Sequence, residues 1–151
     1  MRSLVVVDAL APVIDWHERG LVPVSVSSAS DPRCTLLHGD FFALTEGAGY
    51  DVHDAGRRYD AIVVDIDHSP RHLLHESHAG FYTPDGTRRL AARLAPGGVY
   101  TLWSNDPPDE DYLDVLRGVF DDVRCDVVTF ANPLQDRPAT NSVYVAHAPD
   151  D

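Results

Sequence analysis

The sequence predicts an α/β protein with a mostly parallel sheet and a C-terminal antiparallel hairpin. Short runs of β-branched and other apolar residues recur along the 151-residue chain, and segments with helical patterns separate them. Strands that alternate with helices are typical of βαβ units, whose parallel strands are covered by helices. The last two predicted strands have no helix between them, which indicates a hairpin. We expect a single domain over residues 1–148 and a frayed tail at residues 149–151.

The first half of the chain contains three predicted strands and one predicted helix. A continuous apolar run at residues 4–7 predicts a buried parallel strand. A helix is expected over residues 12–20, because it opens with proline and closes with glycine. Residues 35–38 predict a short second strand, and residues 59–65 are the clearest buried strand of the sequence. The polar, glycine-containing residues 47–58 predict an exposed connection.

The second half of the chain contains three predicted helices and three predicted strands. The helices are expected over residues 72–82, 84–94 and 108–120. The strands are expected over residues 99–103, 124–130 and 142–147. Ala95-Pro96-Gly97-Gly98 would end the second of these helices, and Asp106 would cap the third. Prolines in the loop between the last two strands favour a hairpin at the edge of the sheet.

Composition and charge exclude several classes of partner. The chain carries 24 acidic and 12 basic side chains, for a net charge of −12 at neutral pH, and it contains no basic run. Such a surface repels DNA, RNA and anionic membranes. No apolar run approaches the about 20 residues that cross a bilayer, and the N-terminus has no secretory signal pattern. We therefore expect a cytoplasmic protein with no nucleic-acid partner and no membrane partner.

Three predicted strands end at or just before an aspartate: Asp8, Asp40, which follows Gly39, and Asp65. The carboxyl ends of parallel strands meet at one edge of a sheet, where α/β proteins bind ligands. One aspartate there can accept hydrogen bonds from ribose hydroxyls, and another can accept a bond from an adenine amine. The pattern favours a nucleoside site. The alternative is that each aspartate only caps the next helix or turns the chain.

The order of these segments resembles the catalytic domain of the spermidine/spermine synthase family, which has the Rossmann-like class I S-adenosylmethionine-dependent methyltransferase fold. The similar segments, in chain order, are Leu4-Val5-Val6-Val7-Asp8, Asp31-Pro32-Arg33 with residues 36–40, residues 59–65, Phe81-Tyr82, residues 94–99, and the hairpin around Asn132-Pro133. The resemblance implies S-adenosylmethionine or decarboxylated S-adenosylmethionine as the cofactor. It places Asp8 on the ribose hydroxyls and Asp40 on the adenine.

The segment after Asp65 departs from the family's D-S-[ST]-D-P signature. Asp65 matches the first aspartate of the signature, but His68 stands where the second aspartate is expected. His68 could act as a general base near neutral pH, and Asp67 could partly substitute for the missing carboxylate only if the loop rotated. The expected catalytic residues are Asp65 and His68. The expected substrate-binding residues are Asp67, Tyr82 and Trp103, the last by stacking at the end of a predicted strand.

The resemblance also implies a missing N-terminal segment. Met1 directly precedes the run that resembles the family's second strand, and no glycine-rich loop precedes a helix. Because the family's first strand lies centrally in the sheet, its loss should leave a gap or force its neighbours to pair directly. We therefore expect an N-terminally truncated fold with weakened cofactor binding.

Four histidines, His68, His72, His75 and His78, occur within eleven residues. In one helix the first three would share a face that could hold a divalent metal ion. The Ser69-Pro70 step argues against an unbroken helix, and the sequence lacks the H-E-x-x-H pattern. We therefore expect a polar, histidine-rich rim without a metal.

Two functional hypotheses from different classes follow. The first is a spermidine-synthase-like transferase that passes an aminopropyl or methyl group from a sulfonium to an amine-type acceptor. The negative charge of the chain favours a cationic cofactor and a cationic acceptor such as a polyamine, although a protonated His68 would repel a polyamine. The second is a non-catalytic scaffold or oligomer-forming remnant of the same fold. We expect a homodimer, because a missing central strand would expose sheet edges.

Overall fold

The computed structural model describes residues 2–23 and 31–150, and the chain divides into two compact units. The first unit extends to Arg57 and the second begins at Arg58. The predicted α/β class is confirmed, because helices alternate with parallel strands until an antiparallel pair closes the chain. The single domain over residues 1–148 stays a prediction. Met1 and, in the predicted tail, Asp151 lie outside the described residues, whereas Pro149 accepts a backbone hydrogen bond from Gly97 at 3.4 Å.

The first unit is built on a two-stranded parallel sheet. Strand β1 (Leu4–Asp8) pairs with β2 (Cys34–His38), so that Asp8 lies opposite His38. Helix α1 (Ala11–Glu18) follows β1, and helix α2 (Phe41–Glu46) follows β2. Both predicted strands and the predicted α1 are confirmed, with shifts of one or two residues at their ends.

Helix α2 and its surroundings correct the sequence analysis. The side chain of Asp40 caps α2, but a six-residue helix carries too little hydrophobic periodicity to be recognised. The segment at residues 47–58 is not wholly exposed either, since Tyr50 is only 6% exposed. Its ring stacks on Phe41 with the centroids 5.3 Å apart, and its hydroxyl lies 2.5 Å from the hydroxyl of Thr45.

The second unit is built on a four-stranded sheet with the strand order β3-β4-β6-β5. Strands β3 (Tyr59–Val64) and β4 (Leu94–Ser104) are parallel. Strand β6 (Arg137–His147) is antiparallel to β4 and to β5 (Asp121–Asn132). The predicted C-terminal hairpin is therefore confirmed, with β5 at the edge of the sheet and β6 inside it.

Three helical segments of the second unit differ in detail from the predictions. The predicted helix over residues 72–82 is a 3₁₀ helix at Glu76–Tyr82, and α3 spans Pro84–Ala91. Helix α4 (Glu110–Arg117) is capped by Asp109, whose carboxylate accepts hydrogen bonds from the N–H groups of residues 111 and 112. Asp106 is therefore not its cap. The Pro-Gly-Gly segment predicted to end α3 lies within β4, where Gly97 has a φ of +66°.

The strands are covered less completely than their apolar runs predict. Val63 of β3 is 75% exposed, while its neighbour Val64 is 2% exposed, so β3 is buried on one face. Val6 of β1 is 39% exposed. The described strands form two sheets rather than one, and β1 and β3 belong to different sheets.

Among residues 2–23 and 31–150, no helix is long and apolar enough to span a membrane.

The loop after β3 folds around the buried carboxylate of Asp67, which is 1% exposed. Its Oδ1 accepts hydrogen bonds from the backbone N–H of Leu74 at 2.7 Å and from Nδ1 of His78 at 2.8 Å. Its Oδ2 accepts a bond from the hydroxyl of Tyr82 at 2.9 Å. Both oxygens are therefore bonded within the chain, and they join the loop after β3 to the 3₁₀ helix.

We expect Asp67→Ala to lower the free energy of unfolding by about 3 kcal/mol or more, because three donors lose a buried acceptor. Tyr82→Phe removes one of these bonds and should cost about 1 kcal/mol. Denaturant unfolding measures both losses. Asp60→Ala, at an exposed position of β3, is the control and should change the stability by less than about 0.5 kcal/mol. A loss for Asp67→Ala no larger than that of the control would contradict the network.

The environment of Tyr82 also predicts a pH dependence. Burial, followed by the charge and hydrogen bond of Asp67, raises the pKa of Tyr82 well above its ordinary value. The pKa of Tyr82 is thus higher in the folded protein than in the unfolded chain, where it is about 10. The resulting contribution to stability is fully present below about pH 10 and is lost as the pH rises toward the folded-state pKa. The free energy of unfolding should therefore fall above about pH 10, and less steeply in Tyr82→Phe. Identical slopes for the two proteins would contradict this assignment.

Candidate functional site

Asp8 and Asp40 lie next to each other at the carboxyl end of the sheet in the first unit. Asp8 ends β1, and its Oδ1 accepts a hydrogen bond from the backbone N–H of Leu10 at 2.7 Å. Asp40 follows β2, and its Oδ1 accepts bonds from the first turn of α2 at 2.9 and 3.3 Å. The N–H of Gly39 donates to the carbonyl of Asp8 at 3.0 Å, which joins the two loops directly.

In each of these aspartates, one of the two carboxylate oxygens forms no hydrogen bond within the described residues. Oδ2 of Asp8 and Oδ2 of Asp40 have no hydrogen-bond partner within the described parts of the chain. The sequence left open that these aspartates only cap a helix or turn the chain. Oδ1 of each aspartate does accept such backbone hydrogen bonds. A carboxylate has lone pairs on both oxygens, so a ligand hydroxyl or amine can bind to Oδ2 without breaking either cap.

Asp65 and His68 lie on the loop that follows β3, and both are exposed. The carbonyl of His68 accepts a hydrogen bond from the backbone N–H of Asn105 at 2.7 Å, which joins this loop to the loop after β4. Asp67, between them in sequence, faces the interior instead. The structure therefore separates the neighbouring acidic side chains into an exposed Asp65 and a buried Asp67.

The three expected substrate-binding residues occupy different environments. Asp67 and Tyr82 are bonded to each other in the buried network, which gives them a structural role. Trp103 is half-buried within β4, opposite Val143, rather than beyond the end of the strand. Contact of these three side chains with a substrate stays a prediction.

A second histidine–carboxylate pair was missed by sequence reasoning. Nδ1 of His72 lies 2.5 Å from Oδ2 of Asp106, and the hydroxyl of Ser69 lies 3.3 Å from the same nitrogen. The buried hydroxyls of Ser104 and Ser142 hold the backbone of Asp106, at 3.2 Å from its N–H and 2.7 Å from its carbonyl. This orientation directs Nε2 of His72 away from the carboxylate, on a side chain that is 69% exposed. Only the position of Asp106 after β4 could have indicated this pair.

The contacts of Asp106 also affect its ionisation. The hydrogen bond from Ser69, the bond from His72 and the nearby charge of His68 lower the pKa of Asp106. A cavity of about 270 Å³ lies beside it, between the loops after β3 and β4. Arg71, at the rim of this cavity, pairs with Asp109 and Asp111 at 2.6 Å. The loop after β3 is thereby attached to the beginning of α4.

The four clustered histidines do not share a helix face. His72 binds Asp106, and His78 binds Asp67. Nδ1 of His75 accepts a hydrogen bond from the N–H of Ser77 at 3.2 Å, at the start of the 3₁₀ helix. Within residues 2–23 and 31–150, no group of three or more His, Cys, Asp or Glu side chains is arranged to hold a metal ion.

Comparison with known proteins gives similarity in structure but not in sequence. No protein-family profile matches the chain, and no curated protein sequence matches it. The spermidine synthase from Thermotoga maritima superimposes with a TM-score of 0.67 at 15% identity, over 99% of this chain and 47% of that chain. A spermidine synthase in complex with the transition-state analogue AdoDATO gives a TM-score of 0.64 at 15% identity, over 99% of this chain and 46% of that chain.

Methyltransferases show the same similarity. Human methyltransferase-like protein 13, solved in complex with SAH, superimposes with a TM-score of 0.55 at 16% identity, over 99% of this chain and 72% of that chain. The chain spans about half the length of the spermidine synthases that it matches. It therefore has the fold shared by spermidine synthases and class I methyltransferases, as the resemblance described in the sequence analysis implies.

Proposed function

We propose that the chain binds an S-adenosyl nucleoside through Asp8 and Asp40 and supports transfer of a group from its sulfonium to an amine-type acceptor. The observation that carries this proposal is the pair of adjacent aspartates, each with Oδ2 open to a ligand. Ribose hydroxyls and the adenine amine are hydrogen-bond donors, so they match these acceptors. The fold supports the proposal, because proteins of the same fold bind AdoDATO and SAH.

The exposed residues after β3 would serve the acceptor. When bound, the cofactor would supply a carbon activated by the adjacent sulfonium. Asp65 would orient the acceptor by accepting an N–H hydrogen bond, and His68 would take the proton that the amine loses. The acceptor nitrogen forms a bond to the activated carbon, and the carbon–sulfur bond breaks with its electron pair left on sulfur. His72, oriented by Asp106, is a second imidazole able to take this proton.

A non-catalytic scaffold of the same fold is the second candidate. One observation favours it: Asp67 is buried and has both oxygens bonded within the chain. This leaves no exposed carboxylate oxygen of Asp67 for an amine. This candidate predicts that the chain forms a homodimer and has no transfer activity.

Isothermal titration with methylthioadenosine and with S-adenosylmethionine tests the nucleoside site. We expect saturable binding that Asp8→Asn and Asp40→Asn each weaken about ten-fold or more, because each replaces a charged acceptor with a neutral amide. Asp15→Asn, an exposed position of α1 paired with Arg19, is the matched control and should leave the affinity unchanged. A folded chain that binds neither nucleoside, or weakening of equal size in the control, would refute the site.

An assay of product release in the presence of a small amine distinguishes the two candidates. The product is methylthioadenosine when the cofactor is decarboxylated S-adenosylmethionine, and SAH when it is S-adenosylmethionine. A transferase should form product with at least one small amine, because an exposed imidazole is available to take the proton that the amine loses. His68→Gln should lower the rate about 100-fold or more, and His75→Gln should not. Nucleoside binding without product for any amine favours the scaffold.

A further inference from the structure

A polar groove lies beside the loop after β4, where the β5–β6 hairpin extends beyond the end of that strand. Ser142 of β6 pairs with Ser104, the last residue of β4, so residues 128–141 of the hairpin continue past it. The groove has a volume of about 500 Å³. Its polar lining consists of Asn105, Asn132, Gln135, Arg137, Thr140 and Asn141.

All primary amide side chains of the protein line this groove. Asn105, Asn132, Gln135 and Asn141 are the only asparagine and glutamine residues among the 151 residues of the chain. They come from the loop after β4 and from both strands and the turn of the hairpin, so the fold collects them from separate positions in sequence. The nucleoside site in the first unit uses none of them.

Contacts within the groove occupy the oxygens of three of the four amides and leave the N–H donors of those three. Oδ1 of Asn132 accepts a bond from the backbone N–H of Leu134 at 3.2 Å, and Oε1 of Gln135 accepts one from Nε of Arg137 at 3.1 Å. Backbone and guanidinium N–H groups can only donate, so they fix the orientation of both amides. Oδ1 of Asn105 lies 3.4 Å from Nδ2 of Asn141, which donates to it. The NH₂ groups of Asn105, Asn132 and Gln135 therefore remain for a ligand.

The charge of the groove is opposite to that of the whole chain. Its lining contains no aspartate or glutamate, although the chain has 24 of these residues. Arg137 is the charged residue of the lining, and it has no ion pair within residues 2–23 and 31–150. An ammonium group would find no carboxylate among the lining residues. A carboxylate would find a guanidinium and several N–H donors, which is the environment that carboxylates prefer.

The groove is connected to the proposed catalytic loop. Asn105, which follows the last residue of β4, lines the groove with its side chain and donates its backbone N–H to the carbonyl of His68 at 2.7 Å. A ligand bound to the amides is therefore held by the same backbone that positions His68. The half-exposed ring of Phe130, also in the lining, offers apolar surface for an alkyl stem.

We propose that this groove binds the carboxylate of a small acceptor molecule, so that the acceptor carries both an amine and a carboxylate rather than being a purely cationic polyamine. The identification of the ligand as the acceptor rests on the proposed transfer function. Binding of a carboxylate in the groove does not depend on that function and is tested separately.

The ¹⁵N–¹H spectrum of the uniformly labelled chain provides a selective readout, because every side-chain amide NH₂ signal, from Asn or Gln, arises from the groove. Succinate, inorganic phosphate and 1,4-diaminobutane are titrated separately at constant ionic strength and pH. We expect succinate to shift the amide signals of Asn105, Asn132 and Gln135 saturably, and the diamine to leave them in place. Arg137→Gln should weaken succinate binding about ten-fold or more, since a charge-assisted hydrogen bond is lost.

Arg124→Gln is the matched control, because it removes the same charge from an exposed position of the same hairpin but outside the groove lining. It should leave succinate binding unchanged. Shifts produced by the diamine alone, by phosphate alone, or by none of the three probes would overturn the assignment, as would equal weakening in the two variants. Because nucleoside binding is measured at Asp8 and Asp40, failure of the groove and failure of the proposed function are separate outcomes.

Discussion

The hydrogen bonds to the carboxylate of Asp67 determine the form of the loop after β3. A carboxylate that is almost completely buried is tolerated only when its oxygens are bonded, and here a backbone N–H, an imidazole and a phenol supply the donors. The neighbouring Asp65 and His68 are exposed on the same loop. The position of the proposed catalytic residues therefore depends on a residue that does not itself contact the solvent.

Hydrogen bonding divides the acidic residues at the strand ends into two classes. Asp67 has both oxygens bonded within the chain, whereas Asp8 and Asp40 each use one oxygen as a cap and have no partner for the other among residues 2–23 and 31–150. Asp106 belongs between these classes, because it is bonded to Ser69 and His72 but orients an exposed imidazole. The same reasoning applies to the groove, where occupied amide oxygens leave N–H donors and favour an anionic ligand. Residue type alone would assign all of these aspartates the same role.

Much of the fold is predictable from local pattern. The apolar runs at β1, β2 and β3 and the hairpin of β5 and β6 are recognisable, because strand periodicity and turn residues are properties of short segments. Helix α2 is not recognisable in the same way, since a short helix depends on a cap and on tertiary contacts such as those of Tyr50. The 3₁₀ helix at Glu76–Tyr82 lies within a predicted helix, but local pattern does not give its shorter length or its helix type. The burial of Asp67 and the pairing of His72 with Asp106 arise between residues that are distant in sequence, so no local pattern could reveal them. Asp8 and Asp40 are adjacent for a simpler reason, because their strands are parallel neighbours.

A crystal structure of the chain with methylthioadenosine tests the division between bonded and open carboxylates most directly. The account predicts that the ribose hydroxyls and the adenine amine lie within about 3.2 Å of Oδ2 of Asp8 and Oδ2 of Asp40, with both caps intact. It also predicts that Asp67 remains bonded to Tyr82. A nucleoside bound away from Asp8 and Asp40, or an Asp67 released from Tyr82 to contact the ligand, would contradict the account.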